Sequence, residues 1–228
     1  MWKNKLKISG AWIAILLLIL IPSVVYGDKF FSAANAFNVL RQMSMIGLIS
    51  IGMTCVILTA GIDLSVGATV ALAAVMSAGL TEKSVFLAIF LPVLAGVFIG
   101  AVNGFVIAKL KIVPFIATLA VQMAVRGIAY IMTYIQSIPV AKSAAGFAVL
   151  GRGYFYGVPI PVIILAAVLF VMSFVCRRTP FGRSLYAIGG NEDAAKMMGI
   201  KVTRNKALAY VLTGGLSALA GVILCSRL

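Results

Sequence analysis

The chain has 228 residues, 63% of them hydrophobic and 11% charged, whereas a soluble domain carries about half apolar and about a quarter charged residues. Nineteen Lys and Arg against five Asp and Glu give a net charge of +14, with no histidine. This composition excludes a water-soluble globule, a disordered tail and a collagen-like fibre, and describes a chain solvated by lipid.

A bilayer core about 30 Å thick takes about 20 apolar residues of helix per crossing. Runs free of Asp, Glu, Lys and Arg cover residues 8–27, 42–62, 64–81, 84–108, 112–141 (broken only by Arg126), 153–176 and 207–226. None shows the period-two alternation of a membrane strand. They predict an all-α polytopic membrane protein with seven crossings. The first run follows Lys3, Lys5 and Lys7 and is too long for the short apolar core of a secretory signal.

Basic loops stay on the cytoplasmic side. With the N-terminus inside, twelve Lys and Arg fall on inner segments: Lys3, Lys5, Lys7, Lys109, Lys111 and seven between Arg177 and Lys206. Six fall outside: Lys29, Arg41, Lys83, Lys142, Arg152 and Arg227. The positive charge therefore sets topology, and no nucleic-acid partner is expected.

Asn35, Asn38, Arg41 and Gln42 give the second helix a polar start at the outer mouth. The second and third runs meet at Thr59-Ala60-Gly61-Ile62-Asp63-Leu64-Ser65-Val66-Gly67. There Gly61 is expected to end one helix in the left-handed conformation, and Asp63 or Ser65 to cap the next. A charge at the centre of a lone membrane helix costs about 2.5–3.5 kcal/mol on insertion scales. Asp63 is thus either the capping acid of a cytoplasmic turn or part of a gate or translocation path.

Gly96, Gly100 and Gly104 recur every four residues and strip one helix face for close packing, as do Gly214, Ser217, Ala218 and Gly221 later. Asn103 beside the first stripe calls for a polar cavity. Arg126, with Gln122 one turn earlier on the same face, either has a functional role in the path, or ends a tilted span at 113–126, snorkels, or pairs with a backbone carbonyl. The candidate path residues are Asp63, Asn103, Gln122 and Arg126. Cys55, Cys176 and Cys225 lie in apolar runs and form no CxxC, so they read as packed small hydrophobes with no metal or cofactor.

Residues 177–206, RRTPFGRSLYAIGGNEDAAKMMGIKVTRNK, form the one long hydrophilic segment, placed inside by the charge tally. Gly189-Gly190 reads as a flexible approach and Asn191 as an N-cap. Glu192 and Asp193 then occupy the first turn, Lys196 the later half, and Gly199 the position past the end. Met197, Met198 and Ile200 give this eight-residue helix an apolar side that nothing in the loop buries. So short a helix is marginal alone in water. It must dock on the underside of the membrane domain or on a partner protein.

Five stretches carry a resemblance: LTAGIDLSVG at 58–67, VNGFVIAK at 102–109, PFIATL at 114–119, TPFGRSLYAIGGNEDAAKMMGI at 179–200 and SALAG at 217–221. Across nearly its whole length the chain resembles the permease subunits of bacterial sugar-importing ABC transporters, and looks most like the ribose-type permeases. The resemblance implies a multi-pass inner-membrane subunit, 1–228 forming one permease domain, that pairs with a second copy around a monosaccharide path. It further implies a cytoplasmic ATPase dimer that drives transport and a periplasmic binding protein that delivers the sugar. By the same resemblance, the loop helix plugs into the ATPase, with Asn191, Glu192, Ala194, Ala195 and Gly199 as coupling positions. Members of that family have roughly ten helices, so the chain is expected to be incomplete at its C-terminus.

No GxxxxGK[ST] cradles a nucleotide, which assigns ATP hydrolysis to another subunit. Without histidine there is no HExxH and no Ser-His-Asp triad, so the chain reads as a transport subunit and not an enzyme. Two alternatives stay open. One is a branched-chain amino-acid permease of the same architecture. The other is an ion-coupled secondary transporter, for which Asp63 is the lone acid in an apolar context.

Overall fold

The structure, a computed structural model, describes residues 10–141 and 145–228. Lys3, Lys5, Lys7 and Lys142 of the charge tally lie outside the described residues. The elements in order are α1 (Gly10–Tyr26), a 3-10 turn (Gly27–Lys29), α2 (Ala33–Ile57), α3 (Val66–Leu80), α4 (Val85–Ala108) and α5 (Pro114–Thr133). Then come α6 (Ala145–Arg152), the antiparallel pair β1 (Tyr154–Phe155) and β2 (Val158–Pro159), α7 (Ile160–Arg178), α8 (Pro180–Gly190), α9 (Glu192–Met197) and α10 (Val202–Arg227).

The all-α polytopic architecture is as the apolar runs predict. Among the described residues, six helical stretches are long and apolar enough to cross a membrane, and α3 is shorter. Its 15 residues span only about 22 Å at 1.5 Å per residue. The third run therefore differs from the expected full crossing. The polar connection at 58–65 leads into α3, with Thr59, Asp63 and Ser65 all buried. Buried non-helical backbone is tolerated only where protein groups replace water as hydrogen-bond partners.

The chain divides into two compact units, residues up to Leu40 and residues Arg41–Leu228. In the first, the Asn35 side chain donates to the Phe30 carbonyl at 2.8 Å and its backbone N–H donates to Ser32 Oγ at 3.2 Å. These bonds satisfy groups left open where the 3-10 turn gives way to α2. Asn35 and Asn38 thus lie inside α2, which begins at Ala33, earlier than the apolar run.

In the second unit α10 is central, packed most extensively on α4 and then on α3. The small-residue stripes are the seams. A Cβ on Gly100 would strike the Tyr210 carbonyl oxygen, and one on Gly104 would lie 2.7 Å from Ala207 Cα. Gly221 is pressed in the same way against the Val70 carbonyl of α3. With no hydrophobic drive between helices in lipid, this closeness of backbones supplies the dispersion contact that holds them together.

At one end, the Arg41 guanidinium donates to the Arg152 carbonyl at 3.2 Å and lies 4.6 Å from the Tyr154 ring centre. Arg152 Nε donates to the Arg227 carbonyl at 2.9 Å. Three basic residues placed on the outer side by the charge tally therefore meet at one end of the bundle. α6 and the small hairpin are additions to the predicted elements. Phe147 anchors α6 in a buried cluster with Val222 and Cys225, and Pro159 and Pro161 fix where α7 starts.

Candidate functional site

Two constellations lie at one end of the second unit, the end that the charge tally places inside. The first is the connection between α2 and α3. Ala60, not Gly61 as expected, takes the left-handed conformation, with φ of 57°. Gly61 is needed for another reason, because a Cβ there would sit 2.6 Å from Tyr210 Oη. That hydroxyl donates to the Ile62 carbonyl at 3.3 Å.

Asp63, 1% exposed, accepts three bonds at Oδ1: from the Ser65 N–H at 2.9 Å, Ser65 Oγ at 2.6 Å and Asn103 Nδ2 at 3.3 Å. Asn103, fully buried, also donates to Ser65 Oγ at 2.8 Å. Next in the chain, the Leu64 N–H donates to Thr118 Oγ1 at 3.2 Å, and that hydroxyl donates to the Pro114 carbonyl at 2.8 Å. One eight-residue connection thus ties α3, α4, α5 and α10 together. A carboxylate taken out of water costs several kcal/mol unless donors replace its hydration, and here three converge on one oxygen. Asp63 holds the amide at the start of α3, as a capping acid does, but from inside the protein instead of a solvated turn.

Of the four candidate path residues, the structure brings Asp63 and Asn103 together. Gln122 and Arg126 stay outside this knot, on α5. Gln122 is half-buried and Arg126 is exposed midway along the helix. Arg126 makes no hydrogen bond or ion pair with any of the described residues.

The second constellation is the segment 177–206, which folds into two helices and not one. Thr179 caps α8, its Oγ1 accepting from the Gly182 N–H at 3.3 Å, with Pro180 in the first turn. Leu185 is buried among Cys55, Val56, Ile107 and Tyr210. The expected flexible approach at Gly189-Gly190 is instead the last turn of α8. The physical reason is contact: a Cβ on Gly189 would collide with the Leu58 carbonyl oxygen.

α9 starts where the capping pattern puts it. Asn191 Oδ1 accepts from the Ala194 N–H at 2.9 Å, and Gly199 past the end has φ of +79°. The helix has six residues instead of the expected eight. Lys206 of α10 pairs with Glu192 at 2.5 Å.

The expectation that nothing in the loop buries the apolar side is corrected in part. Ile200 packs with Ile188, Ala195 and Val202 in a small cluster of the segment's own, and Ala195 has no exposed surface. Met197 and Met198 do point away, 89% and 70% exposed. Asn191, Glu192, Ala194 and Gly199 are exposed beside them. Of the five positions expected to couple, four thus lie on the exposed surface, and Ala195 packs the helix against Ile188 and Val202.

Sequence reasoning missed α8, Lys206 and Tyr210. The spacing of Phe181, Leu185 and Ile188 was a legible helical stripe. A tyrosine inside an apolar run also demands a partner for its hydroxyl.

A family model described as branched-chain amino acid transport system / permease component matches residues 35–228. The ribose import permease protein RbsC of Bacillus subtilis (strain 168) is 46% identical over 221 residues, 96% of this chain and 68% of that protein. The protein of the same name from Haemophilus influenzae is 42% identical over 224 residues, again 96% and 68%. The L-arabinose transport system permease protein AraH of Escherichia coli (strain K12) is 36% identical over 214 residues, 92% of this chain and 64% of that protein. No solved structure matches the chain.

Proposed function

This chain belongs to the branched-chain amino acid transport system / permease component family, and from that premise we propose that it is the membrane-spanning subunit of an ATP-driven importer of a ribose-like monosaccharide. It is a multi-pass inner-membrane transport component and not an enzyme. The likeness to ribose and arabinose permeases favours sugar over a branched-chain amino acid as cargo. In this reading residues 1–228 act as one permease domain, and a periplasmic sugar-binding protein delivers the substrate.

The observation that carries the coupling role is the construction of α9. It is capped at both ends and fixed to the body through Ala195, yet it presents Met197 and Met198 to water. Flexible thioether side chains on an exposed helix suit a groove on another protein. We assign that groove to a cytoplasmic ATPase, contacted through Asn191, Glu192, Ala194 and Gly199, with Ala195 holding the helix in place. Arg126 and Gln122 on the open side of α5 support a second copy of the permease. A guanidinium facing hydrocarbon is costly, whereas one facing a shared polar path is solvated. Asp63 and Asn103 then form the inner frame of that path, beneath α8.

The test is uptake against ATP hydrolysis in reconstituted vesicles. Proline cannot adopt the φ of +79° at Gly199, and Glu192→Lys sets two cations together at Lys206. Gly199→Pro and Glu192→Lys should insert normally, keep hydrolysis and lose uptake. Normal import by both variants would remove the coupling assignment. Uptake that survives ATP depletion and collapses with the ion gradient would favour secondary transport instead.

A further inference from the structure

Between the ends of α4 and α10, with α9 alongside, lies a cleft of about 620 Å³ that shares Glu192 with the proposed ATPase contact but whose cations and apolar wall the transport reading leaves unassigned. Its upper wall is apolar, made by Ala101, Phe105 and Val211 among others. Its foot is cationic: Lys109, Lys111, Lys201 and Arg204 line it, joined by Lys196 of α9. Two acids also line it, Glu192 and Asp193, and Glu192 is already engaged by Lys206. None of the five cations has an ion-pair partner among the described residues. Lys109 Nζ lies 5.5 Å from the Phe105 ring centre, where the apolar wall meets the charged foot.

We infer that this cleft binds an anionic phospholipid of the cytoplasmic leaflet, its phosphate on the basic foot and an acyl chain along Phe105 and Val211. The charge tally sets the foot at the inner surface, where anionic headgroups collect around basic pockets between membrane helices. A free phosphate uses only the foot and leaves the apolar wall unexplained. A cytosolic protein docked on α9 would have to extend far along the helices to cover the wall, whereas an acyl chain follows it naturally. Ala101 lies seven residues inside the end of α4, and Val211 nine residues inside the start of α10, which is about 10 Å and about 14 Å at 1.5 Å per residue. A second copy of the chain would bring a like-charged foot against this one, which repels.

The proposal depends on the membrane orientation and not on the cargo, so it stands or falls apart from the transport reading. The assembled importer is purified in detergent and titrated with phosphatidylglycerol, phosphatidylcholine, glycerophosphoglycerol or inorganic phosphate. Retained lipid is read by native mass spectrometry and stability by thermal melting. Phosphatidylglycerol should be retained at least tenfold better than phosphatidylcholine and raise Tm, while the two acyl-free anions do neither.

The variant Lys109→Gln/Lys111→Gln/Lys201→Gln/Arg204→Gln should lose that tenfold preference and keep its Tm in phosphatidylcholine. Lys83→Gln at the opposite end should keep the preference. If the fourfold variant fails to fold, Lys111→Gln and Arg204→Gln alone should each reduce it. Undiminished preference in the foldable variants, equal protection by the acyl-free anions, or cross-links from Phe105 only to protein would overturn the assignment.

Discussion

If the carboxylate of Asp63 is held by the Asn103 amide, the two residues must be energetically coupled, and the structure sets the scale. Asn103→Leu, close in size, deletes the donation to Asp63 at 3.3 Å and the one to Ser65 Oγ at 2.8 Å. A bond to a charged group contributes about 1.5–3 kcal/mol and a neutral one about 0.5–1.5, and the 3.3 Å length puts the first at its low end. Against this, Asn103 Oδ1 is buried with no partner among the described residues, so its removal recovers about 1–2 kcal/mol of desolvation. The net loss for Asn103→Leu alone is therefore about 1 kcal/mol. Asp63→Asn keeps the shape and removes the charge that strengthens all three donations. Because the single changes strike the same bond, the double variant should be less destabilised than their sum by about 1–2 kcal/mol. Equilibrium unfolding in lipid discs of the four proteins measures this directly. Additivity within about 0.5 kcal/mol, the value for independent sites, would refute the pairing.

Two further expectations are tested in the same vesicles. Gly189→Val forces a branched side chain onto the Leu58 carbonyl, where even a Cβ collides. Lifting α8 from the connection at 58–65 should reduce uptake at least tenfold while α9 still captures the ATPase in a pull-down; full uptake would show that this contact transmits nothing. Arg126→Leu removes an exposed cation with no partner among the described residues, so Tm of the isolated subunit in detergent should shift by no more than about 2 °C, as for a neutral surface change. Uptake by the assembled importer should fall severalfold if this face of α5 borders the path, and unchanged uptake would exclude it.

The crossings were legible because lipid supplies no hydrogen bonds, which forces long uncharged runs to be helical whatever their neighbours. The Gly96, Gly100 and Gly104 seam was legible for a similar reason, its signal being a local repeat of four. α3 was not. The run at 64–81 is uncharged throughout, and what delays the helix to Val66 is the bonding of Asp63 with Ser65 and with Asn103, forty residues away. A capping acid announces itself by type, but its distant partner does not. α8 was missed because a glycine pair next to a good N-cap has the composition of a linker. Its meaning lies in the Leu58 carbonyl, more than a hundred residues earlier. The chemistry of α9 was readable residue by residue, whereas the burial of Ala195 and Ile200 depends on α8 and α10 packing around them.

These two misses meet in one place, which gives them mechanical weight. Met197 and Met198 stand free on a helix whose Ala195 is seated against Ile188 of α8. The last turn of α8 rests through Gly189 on the backbone at Leu58. From there the same connection reaches α4 through Asp63 and Asn103, and α5 through Leu64 and Thr118. Spatial continuity alone does not make a transmission, since coupling requires elements that shift between arrangements and not ones that absorb the push. Here the joints have little to absorb with. A glycine against a carbonyl has no side chain to rotate, and a carboxylate holding three donors cannot tilt without breaking bonds to a charged group. If α9 couples to a motor as proposed, displacing it is expected to strain the roots of α3, α4 and α5 together, a stiffness that a long, side-chain-cushioned loop at 58–65 would not supply.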